Sequence, residues 1–270
     1  MFKKIRAKKS LGQNFLMNKS KLRKIVDALD LKKRDVVIEI GPGHGELTEE
    51  LRIKNKELRI ITIEKDGELA EALKKKFFQD KNIEVIEGDA LKVLKSYTLN
   101  FKSYKIAGNI PYYITGYLLR IIGELERKPE LTVLTIQKEV AQRICAQPST
   151  RRRQGYGGRG MNLLAASVQF WAEPKIIGYI SKKDFRPAPK VDSAIIRLRI
   201  KNRDLGTKND DYYKLIKVLF KQPRKTIFNN FCGAGKSNAD KCRSILLKAS
   251  INPSDRPQNL NIEQIKSLLI

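Results

Sequence analysis

The sequence predicts an α/β protein, with a doubly wound and mostly parallel sheet followed by a small C-terminal all-α domain. Short β-branched runs alternate with helical patterns through the first half of the chain. Four of these runs end in glycines or in polar residues, as strands beside a ligand site commonly do. Beyond residue 211 the periodicity is helical. We therefore place one domain with a basic N-terminal arm at residues 1–203 and a small helical domain at 204–270.

The predicted elements follow one another in a regular order. A helix is expected from Asn18 or Ser20, because apolar residues recur downstream at helical spacing. Strands are predicted at 36–40, 59–63, 83–86, 104–107 and 131–136, with helices between them and a short helix at 139–146. Runs at 167–171, 175–180 and 193–200 indicate further strands, antiparallel at one edge. A polar linker at 201–211 precedes helices within 212–220, 244–247 and 262–269.

The charge of the chain points to a polyanionic partner. The sequence has 55 Lys and Arg against 29 Asp and Glu, a net charge of +26. A balance this basic predicts binding to nucleic acid first and to an anionic membrane second. The basic residues cluster in the N-terminal arm and at 151–159, 182–190, 197–203 and 217–225, and the Gly- and Arg-rich stretch 147–160 is predicted to be irregular.

Several classes of protein are excluded by composition. Three cysteines and a single histidine, His44, are too few for a disulfide framework or a Cys/His zinc site. No uncharged apolar run approaches the roughly 18–20 residues that a membrane-spanning helix needs. The basic N-terminus has no apolar stretch behind it, unlike a secretory signal. We expect a monomeric cytoplasmic protein that uses neither a metal nor a membrane.

A glycine-rich turn follows the first predicted strand. Gly41, Gly43 and Gly45 allow the backbone to turn tightly and to approach a ligand. The third glycine comes one residue earlier than in the dinucleotide fingerprint G-x-G-x-x-G. This spacing disfavours a nicotinamide enzyme and favours a nucleoside-like ligand without a pyrophosphate.

Two carboxylates end the next two strands. Glu64 lies about 20 residues after the turn, where an acidic residue hydrogen-bonds ribose hydroxyls. Asp89 ends the third strand and could accept a hydrogen bond from an exocyclic amine, and Glu39 in the first strand is a candidate neighbour. The order of glycine turn, ribose acid and amine acceptor is typical of S-adenosylmethionine bound in a class I (Rossmann-like) methyltransferase.

The residues after the fourth strand indicate which reaction is performed. Asn109, Ile110, Pro111 and Tyr112 follow one another there. An exocyclic amine on a base is a poor nucleophile, because its lone pair is conjugated with the ring. The Asn109 amide oxygen and the Ile110 carbonyl could accept both N–H groups, Pro111 could fix the turn, and Tyr112 offers a ring for stacking.

The chain resembles the small-subunit ribosomal RNA adenine N6,N6-dimethyltransferases. The matching segments span almost the whole sequence, at residues 9–16, 39–45, 64–66, 88–91, 108–112, 137–141, 185–194 and 224–226. The stretch Gln13 to Leu16, the stretch Asn109 to Tyr112, and the Phe-x-Pro-x-Pro-Lys-Val run from Phe185 are specific to this family and its relatives. Asn18 departs from the usual aspartate, which affects helix capping, and the stretch 147–160 is longer and richer in arginine.

The resemblance implies two groups of site residues. The cofactor-binding group comprises Asn14, Leu16, Gly41, Gly43, Glu64, Asp89 and Asn109. The catalytic group comprises Asn109, Ile110, Pro111, Tyr112 and Phe185. Asn14 and Leu16 are expected to close over the methionine side of S-adenosylmethionine, while Tyr112 and Phe185 are expected to sandwich the target adenine.

The implied substrate is a pair of adjacent adenines near the 3′ end of small-subunit (16S) rRNA, inside a pre-assembled 30S particle. Each adenine would receive two methyl groups on N6. Two alternatives remain open at this point. One is a relative that methylates an adenine of large-subunit (23S) rRNA and confers macrolide resistance. The other is a non-catalytic RNA-binding assembly factor on the same scaffold, which the intact Glu64, Asp89 and Asn109 disfavour.

Overall fold

The computed structural model describes residues 5–149, 160–201, 209–233 and 238–269. The basic stretch predicted at 151–159 therefore lies outside the described residues. The chain divides into two compact units, Met1–Ala141 with Pro174–Ile200, and Gln142–Glu173 with Lys201–Ile270.

The first unit holds the predicted α/β alternation. In chain order the elements up to residue 200 are β1 (Phe15–Leu16), α1 (Lys19–Ala28), β2 (Val36–Ile40), α2 (Glu46–Lys54), β3 (Arg59–Glu64), α3 (Gly67–Lys76), β4 (Ile83–Glu87), α4 (Ala90–Tyr97), β5 (Lys105–Asn109), α5 (Thr115–Glu124), β6 (Leu131–Gln137), α6 (Lys138–Ile144), α7 (Leu163–Gln169), β7 (Ala172–Ile180), β8 (Phe185–Arg186) and β9 (Ser193–Ile200). Of these, α7 belongs to the second unit, α6 extends into it, and β7 begins in it. Each of the five parallel strands predicted from the sequence is present.

The main sheet has seven strands in the order β4-β3-β2-β5-β6-β9-β7. Strands β4, β3, β2, β5 and β6 are parallel to one another, whereas β9 runs antiparallel to β6. The antiparallel strand at one side confirms the sequence prediction. The strand order reverses at β2, because β3 lies on one side of it and β5 on the other, and ligands bind at such a switch point.

The central strands are β-branched because both of their faces are buried. In β2, Val37, Ile38 and Ile40 are at most 2% exposed, and because successive residues of a strand point to opposite faces, both faces of the sheet are buried there. Helix α1 begins at Asn18, whose side-chain oxygen accepts hydrogen bonds from the amides of Ser20 and Lys21. Asn18 therefore serves as the helix cap in place of the aspartate usual in the family.

A second, two-stranded sheet was not predicted. Strand β1 pairs antiparallel with β8, and Leu16 lies opposite Phe185. The pairing joins residues about 170 apart in the sequence, so no local pattern could indicate it. It fixes the N-terminal segment next to the loop that carries Phe185.

The second unit is helical. Besides α7 it contains α8 (Asn209–Leu219), α9 (Ile227–Cys232), α10 (Ala239–Lys248) and α11 (Ile262–Lys266). Its core includes Tyr212, Ile216, Ile227 and Leu246, all nearly inaccessible to solvent. Within the described residues, no helix is long and apolar enough to cross a membrane.

Two sequence expectations differ from the structure here. The predicted strand at 167–171 is instead the end of α7, which begins at its cap Asn162 and buries Ala165, Ala166 and Val168 at helical spacing. Residues 142–173 group with the helical unit rather than with the first domain. Phe170 stacks on Tyr212 with ring centroids 3.8 Å apart, which explains that grouping.

Candidate active site

An open cavity lies at the carboxyl ends of the parallel strands, and the space within it, including solvent at its mouth, is about 810 Å³. Its walls come from the segments that follow β2, β3, β4 and β5, together with the N-terminal segment and β8. The lining residues that the sequence predicted are Asn14, Gly41, Gly43, Glu64, Asp89, Asn109, Ile110, Pro111, Tyr112 and Phe185. The cavity therefore brings residues that are far apart in the sequence together at one edge of the sheet, where ligands bind in folds of this kind.

The turn after β2 requires glycine. Gly41, Gly43 and Gly45 all have positive φ, at 67°, 62° and 89°. A Cβ on Gly43 would lie 2.8 Å from ring carbons of Phe15, whereas a Cβ on Gly41 would meet nothing closer than the Asn109 carbonyl oxygen at 3.9 Å. Phe15 therefore packs directly on the turn, and Gly41 leaves open space in the cavity.

Glu64 is a buried carboxylate at the end of β3, only 6% exposed. One oxygen accepts a hydrogen bond from the Gly43 amide (3.1 Å) and the other accepts one from the Asp66 amide (2.9 Å). Burial raises the pKa of Glu64, and the two amide donors partly offset that rise. A carboxylate offers about four acceptor positions, so two amide donors leave capacity for hydroxyl groups.

Asp89 is the cap of α4 and also forms an ion pair. Its Oδ1 accepts the Leu91 amide at 3.0 Å, and its Oδ2 accepts the Lys65 ammonium at 2.9 Å. Partial burial by itself raises the pKa of Asp89, but Lys65 and the Leu91 amide outweigh it and lower the pKa below its usual value. Asp89 is thus a negatively charged acceptor at neutral pH.

Asn109 is oriented by the N-terminal segment. Its Nδ2 donates a hydrogen bond to the Asn14 carbonyl oxygen at 2.7 Å, and the following amide, Ile110, donates to the Thr135 carbonyl oxygen at 3.1 Å. Because the amide nitrogen has this partner, the opposite end of the Asn109 side chain is the acceptor oxygen, Oδ1. The orientation therefore presents an acceptor rather than a donor away from Asn14.

Two aromatic residues lie on the walls of the cavity. The Tyr112 hydroxyl is hydrogen-bonded to the Ser193 hydroxyl at 2.7 Å, and burial raises the pKa of Tyr112. Phe185 is 3% exposed and is positioned by the pairing of β8 with β1. Both residues line the cavity, and Phe185 also packs in the apolar core cluster that contains Leu16. Aromatic residues held in place in this way suit a planar group.

A cluster around Asp66 closes the N-terminal segment against the cavity, and sequence reasoning did not identify it. Asp66 is 2% exposed and accepts hydrogen bonds from Lys8 Nζ (2.8 Å) and Gln13 Nε2 (3.0 Å). The Gln13 oxygen in turn accepts the Lys8 amide at 2.7 Å. The Glu-x-Asp spacing of Glu64 and Asp66 was the available signal. The cluster therefore links the end of β3 to the N-terminal segment, whose Asn14 carbonyl oxygen orients Asn109.

A family model described as ribosomal RNA adenine dimethylase matches residues 4–268. The chain belongs to the ribosomal RNA adenine dimethylase family. Two similar relatives are both named ribosomal RNA small subunit methyltransferase A. The protein of Dehalococcoides mccartyi strain 195 is 38% identical over 98% of this chain and 88% of its own length. That of Caldanaerobacter subterraneus subsp. tengcongensis is 36% identical over 98% of this chain and 96% of its own length.

Two crystal structures are similar to this adenine dimethylase family member across both units. A dimethyladenosine transferase from Plasmodium falciparum has a TM-score of 0.77 and 27% identity, covering 94% of this chain and 95% of that one. The 23S rRNA methyltransferase ErmE has a TM-score of 0.71 and 25% identity, covering 95% and 98%. These neighbours confirm the predicted class I methyltransferase fold.

Two predicted residues of this adenine dimethylase family member do not reach the cavity. Leu16 is 2% exposed within the apolar core, because successive residues of β1 point to opposite sides and Phe15 faces the cavity. Glu39 is 1% exposed and accepts a hydrogen bond from the Thr48 hydroxyl at 2.6 Å, away from the lining residues. Burial raises the pKa of Glu39 to about 8.

Proposed function

We propose that this protein transfers methyl groups from S-adenosylmethionine to N6 of two adjacent adenines near the 3′ end of small-subunit rRNA, in the pre-assembled subunit. The observation that carries the proposal is the hydrogen bond from Asn109 Nδ2 to the Asn14 carbonyl. It leaves Asn109 Oδ1 as an acceptor at the end of β5, which is what an exocyclic amine requires.

The chemistry of the cavity fits S-adenosylmethionine. Glu64 has acceptor capacity for ribose hydroxyls, Asp89 is an ionised acceptor for an adenine amine, and Gly41 leaves open space next to the turn. When bound, S-adenosylmethionine supplies an electrophilic methyl group on a positively charged sulfur. We infer that Asn14 and Gly43 complete this part of the site, while Leu16 supports it from the core.

Two hydrogen-bond acceptors activate the target amine. The Asn109 side-chain oxygen and the Ile110 carbonyl can accept the two N–H groups, which favours a pyramidal nitrogen whose lone pair is available for attack. Pro111 has φ −55° and begins the turn Tyr112–Ile114, which fixes the direction of the Ile110 carbonyl. Positioning and electrostatics then account for the rate, without a covalent enzyme intermediate.

The aromatic residues hold the base once it has left its stack. We infer that Tyr112 and Phe185 receive the two faces of the target adenine, since both line the cavity and both are positioned by hydrogen bonds or strand pairing. A base must be unstacked before its exocyclic amine can enter such a site.

The excess of positive charge fits an rRNA substrate. We propose that the helical unit, with basic residues at 217–225, binds RNA, and that the protein acts as a cytoplasmic monomer. Binding through phosphates weakens steeply as salt rises. Salt-independent binding of small subunits would contradict this part of the proposal.

The experiment that tests the function is incubation with unmethylated small subunits and labelled S-adenosylmethionine, followed by mapping of the modified bases. Dimethylation of two adjacent adenines in small-subunit rRNA is the expected result. Labelling of a large-subunit adenine instead would favour the second candidate, which the similarity to the 23S rRNA methyltransferase ErmE raises. An absence of cofactor binding in calorimetry would indicate a non-catalytic assembly factor.

A further inference from the structure

A basic surface in the first unit begins next to Phe185 and covers the edge strand β7. We call it the β7 surface. Its defining residues are Lys21, Lys138, Tyr179, Lys182, Lys183 and Arg186. They come from the first turn of α1, the first residue of α6, β7, and the segment from the end of β7 through β8. Residues 137–141 match the family, yet the proposed chemistry gives Lys138 no role.

Hydrogen bonds and a cation–π contact join these segments into one structure. Lys21 Nζ donates a hydrogen bond to the Tyr179 carbonyl oxygen at 3.1 Å, and Lys138 Nζ lies 5.0 Å from the centroid of the Tyr179 ring. The Met17 amide donates to the Asp184 carbonyl oxygen at 2.9 Å. The surface is therefore held in place by hydrogen bonds between distant parts of the chain.

The cations of this surface lack carboxylate partners. Among the residues that the structure describes, Lys182, Lys183 and Arg186 are exposed and form no ion pair. Lysines elsewhere in the unit do pair: Lys54 with Asp27 at 2.8 Å, and Lys75 with Glu71 at 2.6 Å. The charges of these three side chains are therefore available to an external polyanion.

The acidic residues of the same segment bind internal donors. Asp184 accepts hydrogen bonds from Asn18 Nδ2 (2.7 Å) and from the Ser181 amide (3.2 Å). Asp192 accepts the Lys182 amide at 3.1 Å. Their carboxylates help to build the loop, and in the described part of the chain neither forms an ion pair with Lys182, Lys183 or Arg186.

Tyr179 adds a second, independent observation. The Tyr179 side chain is 48% exposed, which leaves much of a large aromatic ring in contact with solvent. Proteins that bind single-stranded nucleic acid combine a basic groove along the backbone with aromatic rings on which bases stack. An exposed ring among unpaired lysines has that composition.

We propose that the β7 surface binds the single-stranded RNA next to the target adenine. The phosphates lie on Lys182, Lys183 and Arg186, and one flanking base stacks on Tyr179. The position follows from continuity, because Phe185 lines the cavity and the next residue, Arg186, is exposed. This inference rests on the proposed function and names the strip of protein that holds the substrate outside the cavity.

The test compares two charge-reversed proteins of equal net charge. One carries Lys182→Glu and Lys183→Glu. The control carries Lys32→Glu and Lys33→Glu, on exposed residues just before β2, at the amino-terminal end of the parallel strands and therefore away from the cavity at their carboxyl ends. The probe is a short single-stranded RNA with two adjacent adenines, measured by fluorescence anisotropy across a salt series. Cofactor affinity of each protein, measured by calorimetry, verifies that the cavity is intact.

We expect the Lys182/Lys183 variant to bind the RNA at least about 10-fold more weakly at low salt. The slope of log Kd against log salt should fall by about 1.4, since each lost single-strand phosphate contact removes about 0.7. The Lys32/Lys33 control should stay within about 2-fold of the unaltered protein. Equal losses in both proteins, or none in either, would overturn the proposal.

A second pair of variants tests the stacking. Tyr179→Ala should weaken RNA binding about 5-fold or more, whereas Tyr179→Phe should bind like the unaltered protein. Competition by poly-glutamate as effective as by RNA would mean a general anion surface and would also overturn the proposal. Methyl transfer to unmethylated small subunits is measured separately. If the unaltered protein transfers none, the proposed function fails, whatever the RNA-binding results.

Discussion

Replacement of Gly43 by alanine tests how closely the N-terminal segment and the glycine turn depend on each other. Gly43 has φ 62°, where an L-residue costs roughly 1–2 kcal/mol. The new Cβ would also lie 2.8 Å from ring carbons of Phe15, a distance that requires the ring to move. Overpacking of this kind costs about 1–3 kcal/mol, so the total is about 2–5 kcal/mol.

The consequence reaches the active site through the chain. Phe15 lies in β1 next to Asn14, whose carbonyl oxygen accepts the hydrogen bond from Asn109. A displaced Phe15 ring therefore disturbs both the closure of the cavity and the orientation of Asn109. We expect Gly43→Ala to lower the Tm on the order of 10 °C. We also expect it to weaken S-adenosylmethionine binding about 10-fold or more, which corresponds to about 1.4 kcal/mol.

Thermal unfolding followed by circular dichroism and isothermal titration calorimetry with S-adenosylmethionine are the assays. Gly116→Ala is the matched control, because no atom lies within 4 Å of its added Cβ and the residue is in α5. That variant should be unchanged or more stable by up to about 1 kcal/mol. Gly43→Ala that melts and binds like the unaltered protein would refute the reasoning.

Three further predictions concern residues around the cavity. Burial raises the pKa of Glu39 from 4.5 to about 8, so the free energy of unfolding should fall as pH rises between those values. In urea titrations at several pH values, Glu39→Gln should show a weaker pH dependence of the free energy of unfolding. Tyr112→Phe loses only the hydrogen bond to Ser193, worth about 1 kcal/mol, so kcat/KM should fall several-fold. Tyr112→Ala also loses the ring, so its kcat/KM should fall much further. Equal falls in kcat/KM for the two variants would argue against a stacking role. Gln13→Met removes a donor to Asp66, so the N-terminal arm should become more sensitive to limited proteolysis and cofactor affinity should fall; an unchanged digestion pattern would contradict this.

The parallel sheet was predictable because each of its strands is a short local run. The β-branched residues of β2 indicate a strand buried on both faces, and the glycine turn that follows β2 indicates the switch point of the sheet. The same logic failed at 167–171, where a short apolar run cannot distinguish a strand from a buried helix end. The signal for a helix there is the cap Asn162, which lies several residues before the apolar run.

The candidate site was predictable where its residues follow strand ends in the sequence. Glu64, Asp89 and Asn109 reach one cavity because parallel strands end at the same edge. The Asp66 cluster and the orientation of Asn109 depend instead on contacts with residues 8–14, more than 50 positions away. Leu16 belonged to the right segment but faces the core, since a one-residue step in a strand changes the side.

Single-turnover methyl transfer by Asn109→Ala, with S-adenosylmethionine and unmethylated small subunits, tests the role of Asn109 directly. We expect the rate to fall at least about 100-fold, because an oriented acceptor at the reacting amine is lost. Calorimetry on the same protein should give a cofactor Kd within a few-fold of the unaltered value. Full transfer activity in Asn109→Ala would contradict the central claim that the Asn109 side-chain oxygen prepares the amine.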